Sequence, residues 1–458
     1  MGKSIRHDKF VRLREEFPVF IYEGFDYTLN QEGLSGNFLF RLGDRYRFTP
    51  SFVIPRKPFF LPDEQILPGL PALLFNIGMI ELLSYWKAAC PPVIEVRPSG
   101  LSEEQKEWWK GVYYNGLGEF FYLNGISADY RDFVNFSTAE GAKEAKEITI
   151  TGEGTIIPVG GGKDSVVTLE LLGKSRGGIP LVMNPTSASR ECIRKSGSQD
   201  EEIVEIRRSL DPLLYGLNDQ GFLNGHTPFS ALLAFYTLLA AAVSGRKYIA
   251  LSNESSANEA TIPGTAINHQ YSKSIEFESG FRKYVGKFLS PDIEYFSFLR
   301  PLHEIRIAQL FSRHPQYFPV FRSCNAGSKS GTWCGKCSKC LFTYIILSPF
   351  IEEGELIRIF GRDLFDDPAL FGFFGQLTGM SPEKPFDCVG TIGEVNAAVR
   401  EAVRRREGQP LPVLLERYVS KHGNPEENHE IRKLLDSFDK AHHLPPEFEA
   451  VLKNALHG

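Results

Sequence analysis

The chain has 458 residues, 42% hydrophobic and 23% charged, enough for two or three domains with full cores. A net charge of −5 argues against an extended nucleic-acid surface. Met1 to Phe10 is polar and basic, and the most apolar run, Phe229 to Val243, has 15 residues, short for a membrane span; a cytoplasmic protein with neither nucleic-acid nor membrane partners is expected.

In chain order, Val19 to Tyr27 and Gly36 to Val53 are rich in aromatic and β-branched residues, which predicts strands and a hairpin; residues 10 to 60 as a whole read as strands and tight turns. Prolines from Pro55 to Pro71 end that section, and apolar spacing predicts a helix over 73–89. Ser102-Glu-Glu-Gln suits the start of a second helix, carrying Trp108 and Trp109. The aromatic, glycine-dense stretch 113–125 reads as core rather than a base-stacking surface. Lys143 to Thr151 is a polar link with a boundary near residue 148.

Thr155 to Leu172 reads TIIPVGGGKDSVVTLELL: an apolar strand, three glycines and a helix that Asp164 and Ser165 can cap. Such a turn aims backbone N–H groups at one point, where an anion is favoured. A Walker A loop fails, since Ile157 stands at its first glycine and Asp164 at its hydroxyl; the dinucleotide pattern fails at Ser165. Gly161, Gly162, Asp164 and Ser165 match the Ser-Gly-Gly-x-Asp-Ser loop of ATP pyrophosphatases, with Gly160 replacing the leading Ser. Enzymes that this resembles activate a carboxylate or carbonyl by cleaving ATP to AMP and pyrophosphate.

A second strand is expected at 179–183, with adenine and ribose over the strand ends, and an exposed helix at 201–210. Thr227 and Pro228 open a buried helix, which Gly245 stops. Lys247 to Ser252 is a further strand ending in Asn253 and Glu254, where such folds place ligand contacts. His269 and Lys273 lie in a stretch, 264–278, too polar for core, and 298–311 reads as strand then helix. His226 and His303 are expected as hydrogen-bonded structural residues; His269, flanked by polar groups, is the functional candidate.

Of seven cysteines, Cys324, Cys334, Cys337 and Cys340 fall within 17 residues, the usage of a metal site in a reducing compartment. Two overlapping Cys-x-x-Cys steps plus a fourth thiolate predict a closed, structural Zn²⁺ site, with Lys336 and Lys339 offsetting its charge. From Ser381 the tail is helical, ending its first helix in a solvated basic run at 400–406, and Cys388 reads as a buried small hydrophobe. The expected class is α/β: an α+β domain at 1–148, a PP-loop domain (adenine nucleotide alpha hydrolase-like) with a parallel sheet and the zinc site at 149–380, and a helical segment at 381–458.

The segments GGGKDS, NGHTPFSALL (224–233), LSNESSAN (251–258), NHQYSKS (268–274) and CGKCSKC (334–340) stand in one order, with NGLGEFFYLNG (115–125) ahead and FDCVGT (386–391) behind. Across most of its length the chain thereby resembles the UDP-N-acetylmuramoyl-L-alanyl-L-glutamate epimerase family. The resemblance implies inversion of the terminal L-Glu of a UDP-muramoyl dipeptide, a small-molecule substrate, using ATP and Mg²⁺. Residue type then assigns roles. Gly160, Gly161, Gly162 and Ser165 hold pyrophosphate, Asp164 reaches Mg²⁺, and Lys163 and Lys273 neutralise phosphate or carboxylate. Asn253 contacts the nucleotide, while Glu254 and His269 transfer the proton. The N-terminal aromatics would grip the UDP-sugar. The loop and cysteine cluster alone also suit 7-cyano-7-deazaguanine synthase, other ATP-dependent ligases, or a tRNA-modifying enzyme, the last needing a reactive thiol such as Cys192.

Overall fold

A computed structural model describes residues 2–138, 148, 150, 152–173, 175–262, 264–327, 330–425 and 428–457. Most of the polar link at 143–151 thus lies outside the described residues. Strands and helices are mixed throughout, and the strands are β1 (Val19–Asn30), β2 (Gly33–Leu42), β3 (Tyr46–Phe48), β4 (Ser51–Pro55), β5 (Val93–Val96), β6 (Asn135–Thr138), β7 (Thr155–Pro158), β8 (Gly178–Met183), β9 (Val204–Ser209), β10 (Tyr248–Leu251) and β11 (Glu294–Ser297). The chain divides into two interleaved units: residues 1–156, 204–249 and 266–295 form the first, and 157–203, 250–265 and 296–458 the second. The helical tail therefore belongs with the glycine loop, and two later segments belong with the N-terminal residues.

The first unit opens on a helix, Gly2–Glu16, in a stretch expected to hold strands and turns from residue 10. β1 and β2 pair antiparallel from Phe20↔Leu42 to Asn30↔Gly33, and along β2 Leu34, Phe38, Phe40 and Leu42 alternate into the core. β5 pairs parallel with β1 and β6 parallel with β5. β9 corrects the helix expected at 201–210: Val53↔Arg207 to Ser51↔Ser209 pair antiparallel with β4, and Val204 and Ile206 are buried two residues apart. Charge density suggested an exposed helix, but Arg208 is no solvated charge. Its Nε and Nη2 each donate at 2.6 Å to the buried carboxylate of Glu81.

The helix expected over 73–89 is two shorter ones, Leu70–Glu81 and Leu83–Trp86. Helix Glu103–Gly116 starts as expected, with Ser102 and Gln105 forming a capping box. Its Trp109 stacks on Phe235 of the buried helix Phe229–Ser244, with ring centroids 5.2 Å apart. Pro228, not Thr227, occupies that helix's N-cap, without a side-chain bond; Gly245 ends it in the left-handed region at φ 64°. Ser274 caps helix Ile275–Phe288, whose Glu278 is buried, so the stretch 264–278 is less exposed than its polarity suggests.

In the second unit, Val159 N–H donates to Leu181 at 2.8 Å and Phe298 N–H to Leu251 at 2.7 Å, continuing the neighbours of β7 and β10. The strand expected from 298 lies instead at 294–297, and its helix begins at Glu304. The tail is helical as expected, over Ile392–Arg404, Val413–His422, His429–Asp436 and Pro446–His457. Its basic run is paired rather than merely solvated: Arg400 meets Glu430, Arg404 meets Glu401, and Arg406 is buried over the Phe365 ring. Cys388 is half-buried, not fully buried as expected. Among the described residues no helix is long and apolar enough to cross a membrane.

Candidate functional site

Four buried residues of β7 lead into the glycine turn. Gly161 has φ +88°, and a Cβ there would lie 2.7 Å from the backbone nitrogen of Ser189, so both conformation and space require glycine. At Gly160 a Cβ would meet nothing within 4 Å, which leaves that side of the turn open. The turn is anchored by Arg322 N–H, which donates to Gly161 O at 2.8 Å. Helix Lys163–Leu172 follows, with Gly162 at its N-cap and no side-chain cap. This corrects the expected capping: Asp164 turns to Lys163, and Ser165 Oγ donates to Gly162 O at 2.9 Å. The first-turn N–H groups are left for an anion, and the residues fit a polyphosphate.

Lys163 does not reach into solvent. Its Nζ lies 2.5 Å from Asp164 Oδ1 and against Glu304, on the first turn of helix Glu304–Ser312. Burial opposes the lysine's charge, but Asp164 and Glu304 outweigh it and hold its pKa above the ordinary value. Glu304 is pushed well up, by burial first and then by the negative charges of Asp164 and Glu254, with Lys163 pulling against them. Lys163 is the cation of this pair, and Glu304 is the carboxylate made reluctant to ionise. One lysine among Asp164, Glu254 and Glu304 leaves an excess of negative charge that suits a divalent cation with oxygen ligands, and the partly exposed Asp164 can reach one. Glu254 is 2% exposed, its backbone carbonyl accepting from Arg300 Nη1 at 2.6 Å; Asn253 Nδ2 donates to Ser297 Oγ at 3.0 Å.

Behind Glu304 stands Glu394, fully buried. Its Oε1 accepts the backbone N–H of Glu304 at 2.6 Å, and its Oε2 accepts the N–H and hydroxyl of Thr391, each at 2.8 Å. His303 Nδ1 lies 3.5 Å from Glu394, which raises the histidine's pKa through their hydrogen bond against an opposing burial effect. His303 is therefore the structural residue expected of it.

The four clustered cysteines converge, with Sγ separations of 3.7 Å (Cys324–Cys337), 3.6 Å (Cys334–Cys340) and 3.5 Å (Cys337–Cys340). A tetrahedron of Zn–S bonds of about 2.3 Å has edges of about 3.8 Å, so this donor set fits Zn²⁺ and is far too open for disulfides. Gly335 turns the chain at φ +65°, and its carbonyl accepts from Arg362 Nη2 at 2.7 Å. Cys192 is separate from this cluster and buried, its thiol pushed up to about 12 by burial, so it is not a reactive sulfur.

The first unit holds a second cluster. His269 Nδ1 contacts Oε2 of Glu119, and His226 Nδ1 lies 3.6 Å from that same oxygen. The two rings are 4.4 Å apart at an angle of 44°. Glu119 sits on the short helix Gly118–Leu123 with its side chain 10% exposed, against 13% for His269 and 22% for His226. Lys87 Nζ donates to Gly225 O, fixing the backbone before His226. Burial lowers His226 to about 4, aided by repulsion from His269 and opposed by Glu119. Lys273 ends a short turn, Tyr271–Lys273, in the same unit.

The residues assigned from sequence are divided between the two units. Gly160 to Ser165, Asn253, Glu254 and the four cysteines belong to the second unit, and His269 and Lys273 to the first. Glu119, His226, Glu304 and Glu394 were not assigned. The lone carboxylate in NGLGEFFYLNG, in an otherwise apolar and amide-rich context, is the signal that could have marked Glu119.

The MurL N-terminal domain model matches residues 12–298 and the MurL C-terminal domain model residues 320–432. A UDP-N-acetyl-alpha-D-muramoyl-L-alanyl-L-glutamate epimerase of Xanthomonas oryzae pv. oryzae is 35% identical over 77% of this chain and 79% of its own. Proteins of the same name from Salinispora tropica and a Micromonospora species are 34% and 31% identical, over 76% and 89% of this chain and 76% and 91% of theirs. No solved structure matches. On its two domain matches and these relatives, the chain belongs to the MurL family.

Proposed function

We propose that the chain is an ATP-dependent epimerase of peptidoglycan precursor synthesis, converting UDP-N-acetylmuramoyl-L-alanyl-L-glutamate to its D-glutamate epimer and releasing AMP and pyrophosphate. The observation that carries this is the open glycine turn at 160–162 running into an uncapped helix N-terminus, in a chain whose relatives are named for that epimerisation.

The chemistry follows from the acidity of Cα–H. Beside an ionised carboxylate that proton is very hard to remove, because the carbanion would sit against a negative charge. Joining the carboxylate to AMP removes the charge and lets the carbonyl accept electrons as an enolate. A base takes the proton, an acid returns one to the opposite face, and water releases the product. Backbone N–H groups of Gly160 to Gly162 and the Ser165 hydroxyl would hold the pyrophosphate, with Asn253 on the nucleotide and Lys163 and Lys273 neutralising charge. Mg²⁺, held through Asp164, would supply charge screening, and Zn²⁺ on the cysteines would be structural. Proton transfer falls to His269, with Glu254 the second candidate.

The test is incubation with ATP, Mg²⁺ and the L-glutamate substrate in D₂O. The expected outcome is AMP, pyrophosphate and D-glutamate carrying deuterium at Cα, with no exchange when ATP is omitted. ADP as product, or exchange that proceeds equally without ATP, overturns the reading.

A further inference from the structure

Glu119 is buried, and among the described residues its ion-pair partners are His226 and His269 rather than a lysine or arginine. A buried carboxylate is costly unless a cation or hydrogen-bond donors face it. Here two imidazoles face it, and both turn Nδ1 to the same oxygen, Oε2. One ligand atom from each of the three residues lies within 4.8 Å of the others. Two imidazole nitrogens and one carboxylate oxygen are a donor set for a divalent transition ion, and three protein ligands leave coordination positions open. The cysteine cluster, with four ligands, leaves none.

The backbone gathers these donors by contacts of its own. A Cβ at Gly225 would lie 3.1 Å from the Phe120 ring, so the residue before His226 packs directly on the helix that carries Glu119. Asn124 Nδ2 ties the two together, donating to Asn224 O at 3.0 Å and to Phe120 O at 2.8 Å. A Cβ at Gly118 would lie 3.8 Å from Ile267 Cα, which sets the turn holding His269 against the same helix. Asn268 closes that turn, its Oδ1 accepting from Gln270 N–H at 2.8 Å and its carbonyl from Tyr271 N–H at 3.2 Å. The ligand set is thus preorganised by groups outside it.

We propose that Glu119, His226 and His269 form a second metal centre, a three-ligand site for a divalent first-row transition ion such as Zn²⁺. Donors around such an ion, with bonds of about 2.1 Å, stand about 3.4 Å apart in a tetrahedron. His226 Nδ1 and Glu119 Oε2 are 3.6 Å apart, close to that edge. His269 Nδ1, in contact with the oxygen, moves back toward the same edge and gives up its shared proton as the ion enters. The histidine side chains are 22% and 13% exposed, so an ion can enter, and water or an anionic oxygen ligand completes the coordination. All three ligands lie in the first unit, so the centre needs nothing from the glycine turn. With an ion on His269, proton transfer in the reaction proposed above passes to Glu254, the second candidate.

The test equilibrates the full chain with Zn²⁺, removes loosely held metal by gel filtration, and counts zinc by elemental analysis. Wild type should hold one equivalent more than Glu119→Gln, His226→Asn or His269→Asn, whose affinity for that equivalent should fall at least about 10²-fold. The amide of Glu119→Gln keeps an oxygen that can accept from an Nδ1–H. A trio held only by hydrogen bonds survives that change, whereas a neutral amide is a poor ligand. Thermal unfolding separates binding from misfolding. Zn²⁺ added beyond the cysteine cluster's equivalent should raise the wild-type midpoint and leave that of Glu119→Gln unmoved. Co²⁺ added to zinc-loaded wild type gives a readout that needs no variant: visible d–d absorption without a thiolate charge-transfer band, because the donors are nitrogen and oxygen. The proposal is overturned if wild type and the three variants hold the same zinc, or if Zn²⁺ raises all midpoints alike. It is also overturned if Co²⁺ shows only thiolate bands or no visible absorption. None of these readouts uses turnover, so failure of the epimerase reading leaves them standing.

Discussion

Glu394 accepts the backbone N–H of Glu304 at 2.6 Å, so a buried carboxylate 90 residues away caps the helix whose first side chain meets Lys163. The helix's own N-cap, His303, offers no side-chain bond to it. The carboxylate that meets Lys163 is thereby positioned by a residue of the helical tail.

Glu394→Ala should cost about 3 kcal/mol in urea unfolding, because the buried Glu304 N–H and the partly buried Thr391 lose a charged acceptor. Glu394→Gln, which keeps one acceptor, should cost roughly half as much. A loss below about 1 kcal/mol for the alanine variant would show that the N–H groups find other partners.

Asp164→Ala removes a partly exposed carboxylate from the second helical position after the glycine turn. AMP formation should disappear while the circular dichroism spectrum stays that of wild type. Normal AMP formation would show that this turn is not where ATP is cleaved.

Cys337→Ser takes away a thiol that lies 3.5 Å from Cys340 and 3.7 Å from Cys324. Zinc content by elemental analysis should fall from one equivalent toward zero, with lower thermal stability, since a closed site contributes to folding. Well-folded wild type that carries no zinc would rule out the metal.

Two histidines should act on stability with opposite signs. His226 is lowered to about 4 in the folded chain, so its contribution is full above about pH 6.5, the unfolded value, and is lost as pH falls toward 4. Between pH 6.5 and 4.5 wild type should lose about 2 kcal/mol more than His226→Gln. His303 is raised by Glu394, so its contribution is present below the unfolded value and lost as pH climbs through the raised one. Difference curves from urea unfolding of His226→Gln and His303→Gln check both, and slopes of the same sign would contradict this assignment.

The features legible in sequence are those whose parts lie close along the chain. Strand, glycines and helix at 155–172 occupy 18 residues, and the backbone geometry they need is local, because only glycine suits φ +88° at 161. The cysteine spacing likewise brings three thiols to one turn, and the sulfurs converge to a tetrahedron's edge length. Other features were decided by residues far away in sequence. The run 201–210 carries enough charge for an exposed helix, yet pairing with β4 and the Arg208–Glu81 contact make it a strand. Ser165 was a plausible cap, but a serine at a helix start can turn back to the preceding carbonyl, and here it does. Glu119 and His269 stand 150 residues apart, and Lys163 and Glu304 stand 141 apart. No periodicity links such positions: what joins each pair is the low dielectric of a buried site, where a charged group is stable only beside its partner, and tertiary packing alone decides which partner that is.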